Sequence, residues 1–224
     1  MLPISDEDRT RIAAAVAKAE RESDGEIITI VAPRSDAYHD VGLHYAILAM
    51  LLVPAGTLVV PQSWIDWWLT LLFGWGAEGG WRLLMLLVLG KMIFVFLMVR
   101  YALAWMPLRM AVTPKGTKNR RVRRRAVELF NATCAARTKG RTGILLYLSL
   151  LERRAEIVAV NAIHSRSVPV VWGVAMAALL SEIKAGRPGE GLAQAVEKMG
   201  EVLAECLPPQ TTNPNELPDR LIEI

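Results

Sequence analysis

An apolar block from Leu43 to Met106 constrains this chain more than any other feature of its sequence. The block contains two runs long enough to cross a bilayer, since a hydrocarbon core of about 30 Å requires about 20 apolar residues in a helix. Leu43–Val60 contains no Asp, Glu, Lys or Arg, and Leu83–Met106 contains only Lys91 and Arg100 of these. Backbone polar groups in lipid must be hydrogen-bonded within the segment, so helix is the required conformation. The sequence therefore predicts two transmembrane helices.

The stretch 61–82 between these runs is rich in tryptophan and includes Asp66. Tryptophan concentrates at the boundary between membrane and water, so we predict an interfacial connector within a two-helix hairpin that spans 43–106. Lys91 interrupts the second run, and a charge near mid-span is costly. Its side chain either extends toward the outer face of the membrane or pairs with an acidic group, on Asp66 or on another protein.

Basic residues after the second run predict the orientation of the hairpin. No acidic residue lies between 107 and 125. The chain has a formal net charge of +4, and its excess of basic over acidic residues is local to this run. The positive-inside rule places this run in the cytoplasm, against anionic lipid headgroups, with the connector outside and both termini cytoplasmic. The run lacks the interleaved aromatic residues of single-strand binders, so we expect no nucleic-acid partner. The basic residues are Arg109, Lys115, Lys118, Arg120, Arg121, Arg123, Arg124 and Arg125.

Outside the hairpin, the hydrophobic periodicity predicts an α/β domain with a small mixed β-sheet flanked by helices. A helix between the first two strands favours their parallel pairing, and a short turn makes the third antiparallel. The domain is split into 1–42 and 107–207. The tail 208–224 carries apolar residues that we expect to dock in extended form. The predicted elements are a helix capped by Ser5 and Asp8, strands Glu26–Ala32, Ile144–Leu150 and Ala155–Val160, and helices Thr117–Thr138, Val170–Lys184 and Gly189–Leu207.

Three residues at the ends of predicted strands are candidate catalytic groups, because ligand crevices form at strand ends in α/β sheets. They are Glu26, Glu152 and His164. Each also has an ordinary structural interpretation. Glu26 can cap a strand start, Glu152 can be a turn charge, and His164 can pack in a loop.

A second cluster precedes the first apolar run and consists of Asp36, His39 and Asp40, followed by His44. Spacings of three and four residues would stack these side chains on one face of a helix, an arrangement that suits Zn²⁺ or a similar ion. The alternative is a polar collar at the entry to the membrane.

Segments 19–33, 143–163 and 171–205 resemble, in this order, the TPM domain family. The family is known from a thylakoid-lumen photosystem repair protein and an auxiliary protein of acetylcholine receptors. The resemblance covers none of the hairpin and implies a TPM-like fold for the rest of the chain, and the predicted hairpin would make this a membrane-anchored member of bacterial type. We therefore expect a two-span protein of the bacterial inner membrane that acts as an auxiliary or scaffold module for a protein partner.

Some members of that family are described as acid phosphatases that use clustered aspartates and a divalent cation. The alternative function is therefore a phosphatase that acts on membrane-proximal substrates with Mg²⁺ or Ca²⁺. These cations need several oxygen ligands, whereas Glu152 is followed here by Arg153 and Arg154. This departure favours the auxiliary function, without a cofactor.

Overall fold

The computed structural model of the chain describes residues 4–74, 81–133, 143–159, 169–209 and 217–224. Within these ranges the chain forms eight helices and four strands. It divides into two compact units. Unit 1 consists of 1–36 together with 114–224, and unit 2 consists of 37–113. Unit 2 extends beyond the predicted hairpin at both ends.

Unit 1 has the predicted mixed α/β architecture, with a four-stranded sheet in the order β3-β2-β1-β4. β1 and β2 are parallel and β2 and β3 antiparallel, which confirms both predicted pairings. The register places Glu26 opposite Gly143 and Ala32 opposite Ser149. The elements of unit 1 are α1 (Asp6–Glu22), β1 (Glu26–Ala32), α6 (Lys115–Thr133), β2 (Gly143–Ser149), β3 (Arg154–Ala159), α7 (Pro169–Lys184), α8 (Pro188–Cys206) and β4 (Ile222–Glu223).

All residues of β1 and β2 are buried, because helices cover both faces of the sheet. Successive side chains of a strand point to opposite faces. Ile27 and Val31 accordingly join the core formed with α1, α7 and α8, whereas Ile28 and Ile30 join the core beneath α6. The alternation of β1 therefore supplies both hydrophobic cores.

The first helix begins as its sequence predicts. The Ser5 hydroxyl accepts a hydrogen bond from the Asp8 amide at 3.1 Å, and the Asp8 carboxylate accepts one from the Ser5 amide at 3.2 Å. This reciprocal pair satisfies two backbone donors that have no partner within the helix. α1 then packs closely on α8, since a Cβ added to Gly200 would lie 2.7 Å from the Cβ of Ala19.

Unit 2 contains two long apolar helices, α2 (His39–Val59) and α4 (Trp81–Ala102), which pack against each other. Both are long and apolar enough to cross a membrane by length and composition. The predicted connector contains a further helix, α3 (Gln62–Phe73), where the sequence pattern indicated only an interfacial segment. A short helix, α5 (Met106–Val112), follows α4.

The end of the chain lies on the sheet as an extended segment. Ile222 and Glu223 pair in parallel with Ile30 and Val31. Leu217 is 3% exposed and packs in the core beneath α6. The Arg9 guanidinium forms an ion pair with the Glu223 carboxylate at 3.0 Å, which links the tail to α1.

Replacement of Leu217 by Ala should lower the free energy of unfolding by about 2–5 kcal/mol, because it removes a buried side chain and leaves a cavity. Thermal and denaturant unfolding of the full chain in detergent, followed by circular dichroism, measures this change. Ile224→Ala is the matched control, since Ile224 is 48% exposed. Equal losses in the two variants would show that burial of Leu217 does not anchor the tail.

Candidate functional site

A cluster of polar side chains lies where β1 and β2 end. Glu152 is 7% exposed and occupies the turn between β2 and β3. Its Oε1 accepts a hydrogen bond from the Ser35 amide at 3.0 Å, and its Oε2 accepts one from the Ser149 hydroxyl. The Ser35 hydroxyl and the Tyr147 hydroxyl lie 3.0 Å apart. Glu152 therefore joins the segment after β1 to the end of β2.

Burial raises the pKa of Tyr147, and the negative charge of Glu152 raises it further, while the hydrogen bond to Ser35 opposes the shift. The phenol is therefore neutral over the physiological pH range. The bond between Ser149 and Glu152 has the donor–acceptor pairing of a nucleophile and its base. Ser149 is fully buried, however, so a substrate cannot approach its hydroxyl in this conformation.

Asp36 follows this cluster along the chain and forms an ion pair with α6. Its Oδ2 lies 2.6 Å from Nη1 of Arg121 and 3.6 Å from Nη2 of Arg124. The Asp36 and Arg121 side chains are about one-fifth exposed, so this pair is better shielded from solvent than the other ion pairs of α6. The contact fixes the end of segment 1–36 of unit 1 to α6 in segment 114–224 of the same unit.

A different set of carboxylates lies at the opposite end of β1. Glu26 is 2% exposed, and its Oε2 accepts a hydrogen bond from the Leu217 amide at 3.2 Å. Glu20, in the last turn of α1, accepts one from the Ile27 amide at 2.9 Å. Burial raises the pKa of Glu20 to about 8, and the charges of Glu26 and Asp219 add to the shift, while the Ile27 amide opposes it.

The structure does not bring the predicted catalytic residues together. Glu26 begins β1 and Glu152 follows the end of β2, so the length of the paired strands, about 20 Å at roughly 3.3 Å per residue, lies between them. They cannot bind the same small ligand. His164 lies outside the described residues.

The predicted metal cluster is not formed either. Asp36 is bound to arginines, and Nδ1 of His39 lies 3.3 Å from the Arg109 guanidinium, a neighbour that disfavours a cation. Nδ1 of His44 lies 2.6 Å from the Asp40 carbonyl oxygen. In the described part of the chain, no group of three or more His, Cys, Asp or Glu side chains could hold a metal ion.

Arg109 does not belong to the lipid-binding surface to which the sequence assigned it. Its side chain is buried, and its guanidinium donates hydrogen bonds to the carbonyl oxygens of Leu103 at 2.7 Å, Ala104 at 3.2 Å and Ala37 at 2.6 Å. The carbonyl groups at the end of a helix lack partners within it, and a cation there is favourable. Arg109 therefore stabilises the end of α4 within unit 2 and is not available to a lipid headgroup.

Sequence reasoning missed Glu20, Ser35, Tyr147 and Ser149. A hydroxyl in a fully buried strand needs a hydrogen-bond partner. The Tyr and Ser of GILLYLS therefore indicated that other polar groups would lie close to this strand. Glu20 carried no comparable signal, because an acid in the last turn of an amphipathic helix is ordinarily exposed.

No family model and no curated protein matches the chain. Among solved structures, the NMR structure of the BA42 protein from the psychrophilic bacterium Bizionia argentinensis is similar, with a TM-score of 0.56. The two chains are 16% identical, and the match covers 99% of this chain and 95% of that one. The similarity at this identity concerns the fold alone, and the resemblance to TPM domains stays a prediction.

Glu20 should make the stability of the protein depend on pH. Its pKa is higher in the folded than in the unfolded chain, so the folded state holds an extra proton between the usual value of 4.5 and about 8. The stabilisation is complete below pH 4.5 and is lost as the pH rises to about 8. Glu20→Gln should therefore resemble the wild type at low pH and exceed its stability at pH 8, by on the order of 1 kcal/mol after solvent screening.

Denaturant unfolding of the full chain between pH 5 and pH 8 checks this sign. Glu22→Gln is the control, because Glu22 is exposed on the same helix. A constant difference between Glu20→Gln and the wild type across this range would contradict the protonated state of Glu20.

Proposed function

We propose that the chain is a two-span membrane protein whose TPM-like α/β unit acts as an auxiliary or scaffold module at the cytoplasmic face of the bacterial inner membrane. The observation that carries this proposal is the exposed apolar surface of α2 and α4. Leu58 is 88% exposed, Phe94 66% and Leu86 65%, and no residue of α4 is buried. Soluble proteins rarely expose apolar patches larger than a few hundred Å², whereas such side chains are compatible with lipid.

The charge pattern supports the proposed orientation. Seven of the eight basic residues assigned to lipid lie on α6, and Arg123 and Arg124 are 73% and 69% exposed. A basic residue near an anionic surface contributes about 1 kcal/mol of attraction. Val122, Ala126 and Phe130 form the opposite, buried face of the same helix, so α6 presents its basic side chains to the surroundings of unit 1.

The site geometry favours binding over catalysis. Glu26 and Glu152 lie at opposite ends of the parallel strands, and Ser149 is buried. Each of these carboxylates accepts a hydrogen bond from the backbone amide of a distant segment, which is a structural role. A protein partner that docks on unit 1 is therefore the better proposal, and a phosphatase dependent on Mg²⁺ or Ca²⁺ is its alternative.

Topology reporters test the membrane part of this proposal. Alkaline phosphatase fused after Ile224 should be inactive in a bacterial host, because the enzyme is active only outside the cytoplasm. The same reporter fused after Gly74, in the connector, should be active. Exchange of Arg123, Arg124 and Arg125 for Gln should increase the fraction of inverted molecules, since these residues contribute to the positive-inside bias. An active fusion at Ile224 would refute the orientation.

Phosphate-ester hydrolysis separates the auxiliary function from the phosphatase. The purified full chain should show no turnover above buffer, with or without Mg²⁺ or Ca²⁺. Glu152→Gln should behave identically, and Glu128→Gln, at an exposed position of α6, controls for the loss of one charge. Cation-dependent turnover that Glu152→Gln abolishes and Glu128→Gln retains would replace the scaffold proposal with the phosphatase.

A further inference from the structure

Unit 2 contains a groove of about 280 Å³ between the end of α2, one face of α3 and the first half of α4. Its walls are almost entirely apolar side chains, and the side chain of Lys91 lies among them. The volume is close to the lower limit for sites that bind small organic molecules. The groove is lined by residues that include Trp64, Trp68, Leu69, Leu84, Leu87 and Lys91.

The sequence of α3 explains the apolar wall. Trp64 and Trp68 are four residues apart and fall on one face of the helix, with Leu69 beside them. Thr57 also lines the groove, but its hydroxyl donates to the Pro54 carbonyl oxygen at 2.7 Å and is already satisfied. The groove therefore offers its occupant an apolar lining and one ammonium group.

Lys91 forms no ion pair with any side chain in the described ranges. The pairing with Asp66 considered from the sequence is not observed there, since helical spacing places Asp66 on the other side of α3 from Trp64 and Trp68. A charged group in apolar surroundings is stabilised by an opposite charge within a few ångströms. The occupant must accordingly bring both apolar surface and one negative charge.

We propose that this groove binds one acyl chain of an acidic phospholipid whose phosphate pairs with Lys91. Phosphatidylcholine also carries a phosphate, but its own choline cation balances that charge, so an acidic phospholipid is the better partner for the ammonium. A dissolved phosphate leaves the apolar walls empty. This inference rests on the proposed membrane location of α2 and α4. Lys91 lies ten residues after Trp81, about 15 Å along α4 at 1.5 Å per residue, and its long stem can extend toward the outer face. The phosphate is therefore held beneath α3, apart from the bulk headgroups.

Trp64 and Trp68 report on the occupant directly, because bromine atoms on an acyl chain quench nearby tryptophan fluorescence. The full chain is placed in phosphatidylcholine nanodiscs that contain increasing fractions of chain-brominated phosphatidylglycerol or chain-brominated phosphatidylcholine. Quenching by the acidic lipid should be half complete at a mole fraction at least fivefold lower than for the neutral lipid. The double variant Trp64→Phe/Trp68→Phe should lose this saturable component, which assigns it to the groove.

Lys91→Met should abolish the preference for phosphatidylglycerol, and Lys91→Arg should retain it. Lys18→Met removes the same charge at an exposed position of α1 in unit 1 and should leave the preference unchanged. An undiminished preference in Lys91→Met, or its loss in Lys18→Met, would overturn the proposal. Displacement of the lipid by dissolved glycerol phosphate would overturn the proposal and indicate a soluble anion as the occupant. A cross-link from position 91 to another protein would overturn it and indicate a protein occupant.

The same preparation distinguishes this inference from the function on which it rests. A chain that does not co-purify with the nanodiscs overturns both. A chain that inserts with the expected topology and shows equal quenching by the two lipids overturns only the lipid site.

Discussion

The parallel pairing of β1 with β2 is the interaction on which the rest of unit 1 depends, because it joins two parts of the chain separated by all of unit 2. The register is continuous over seven residues, and hydrogen bonds from the amides of Leu150 and Leu151 to the carbonyl oxygens of Ala32 and Pro33 extend it beyond the strands. The entropic free-energy cost of closing a flexible loop grows only logarithmically with its length, by about 0.6 kcal/mol per doubling. An inserted unit therefore costs the sheet little, provided that both strands bury their two faces.

Much of this fold was predictable because its signals are local or periodic. The β-branched run Glu26–Ala32 is the observed β1, and Ser5 with Asp8 forms the expected capping box. α3 was missed because its tryptophans indicate depth in a membrane and do not specify a backbone conformation. Arg109 was misassigned because a run of basic residues does not reveal which guanidinium meets the free carbonyl groups of a helix end. Such contacts depend on chain segments that are distant in sequence.

The candidate site illustrates the same limit. The sequence correctly placed Glu26 and Glu152 at strand ends but could not distinguish a reactive carboxylate from one that anchors a loop. Here Glu26 accepts a hydrogen bond from the Leu217 amide and Glu152 one from the Ser35 amide, while Glu20 accepts one from the Ile27 amide. A hydrogen bond from a backbone amide compensates a buried carboxylate for part of its lost hydration. Glu152 and Glu26 thereby fix segments that lack regular backbone pairing at Ser35 and Leu217, and Glu20 joins the last turn of α1 to the start of β1.

The ion pair between Asp36 and Arg121 extends this principle to the points where the chain leaves and re-enters unit 1. Asp36 is the last residue before unit 2, and Arg121 lies in the second turn of α6, about 9 Å from its first residue at 1.5 Å per residue. The pair therefore holds the two ends of the insertion near each other within unit 1. A transmembrane hairpin also returns the chain to the side of the membrane on which it began. The hairpin proposed for unit 2 and the ion pair between Asp36 and Arg121 therefore require the same proximity of the two ends.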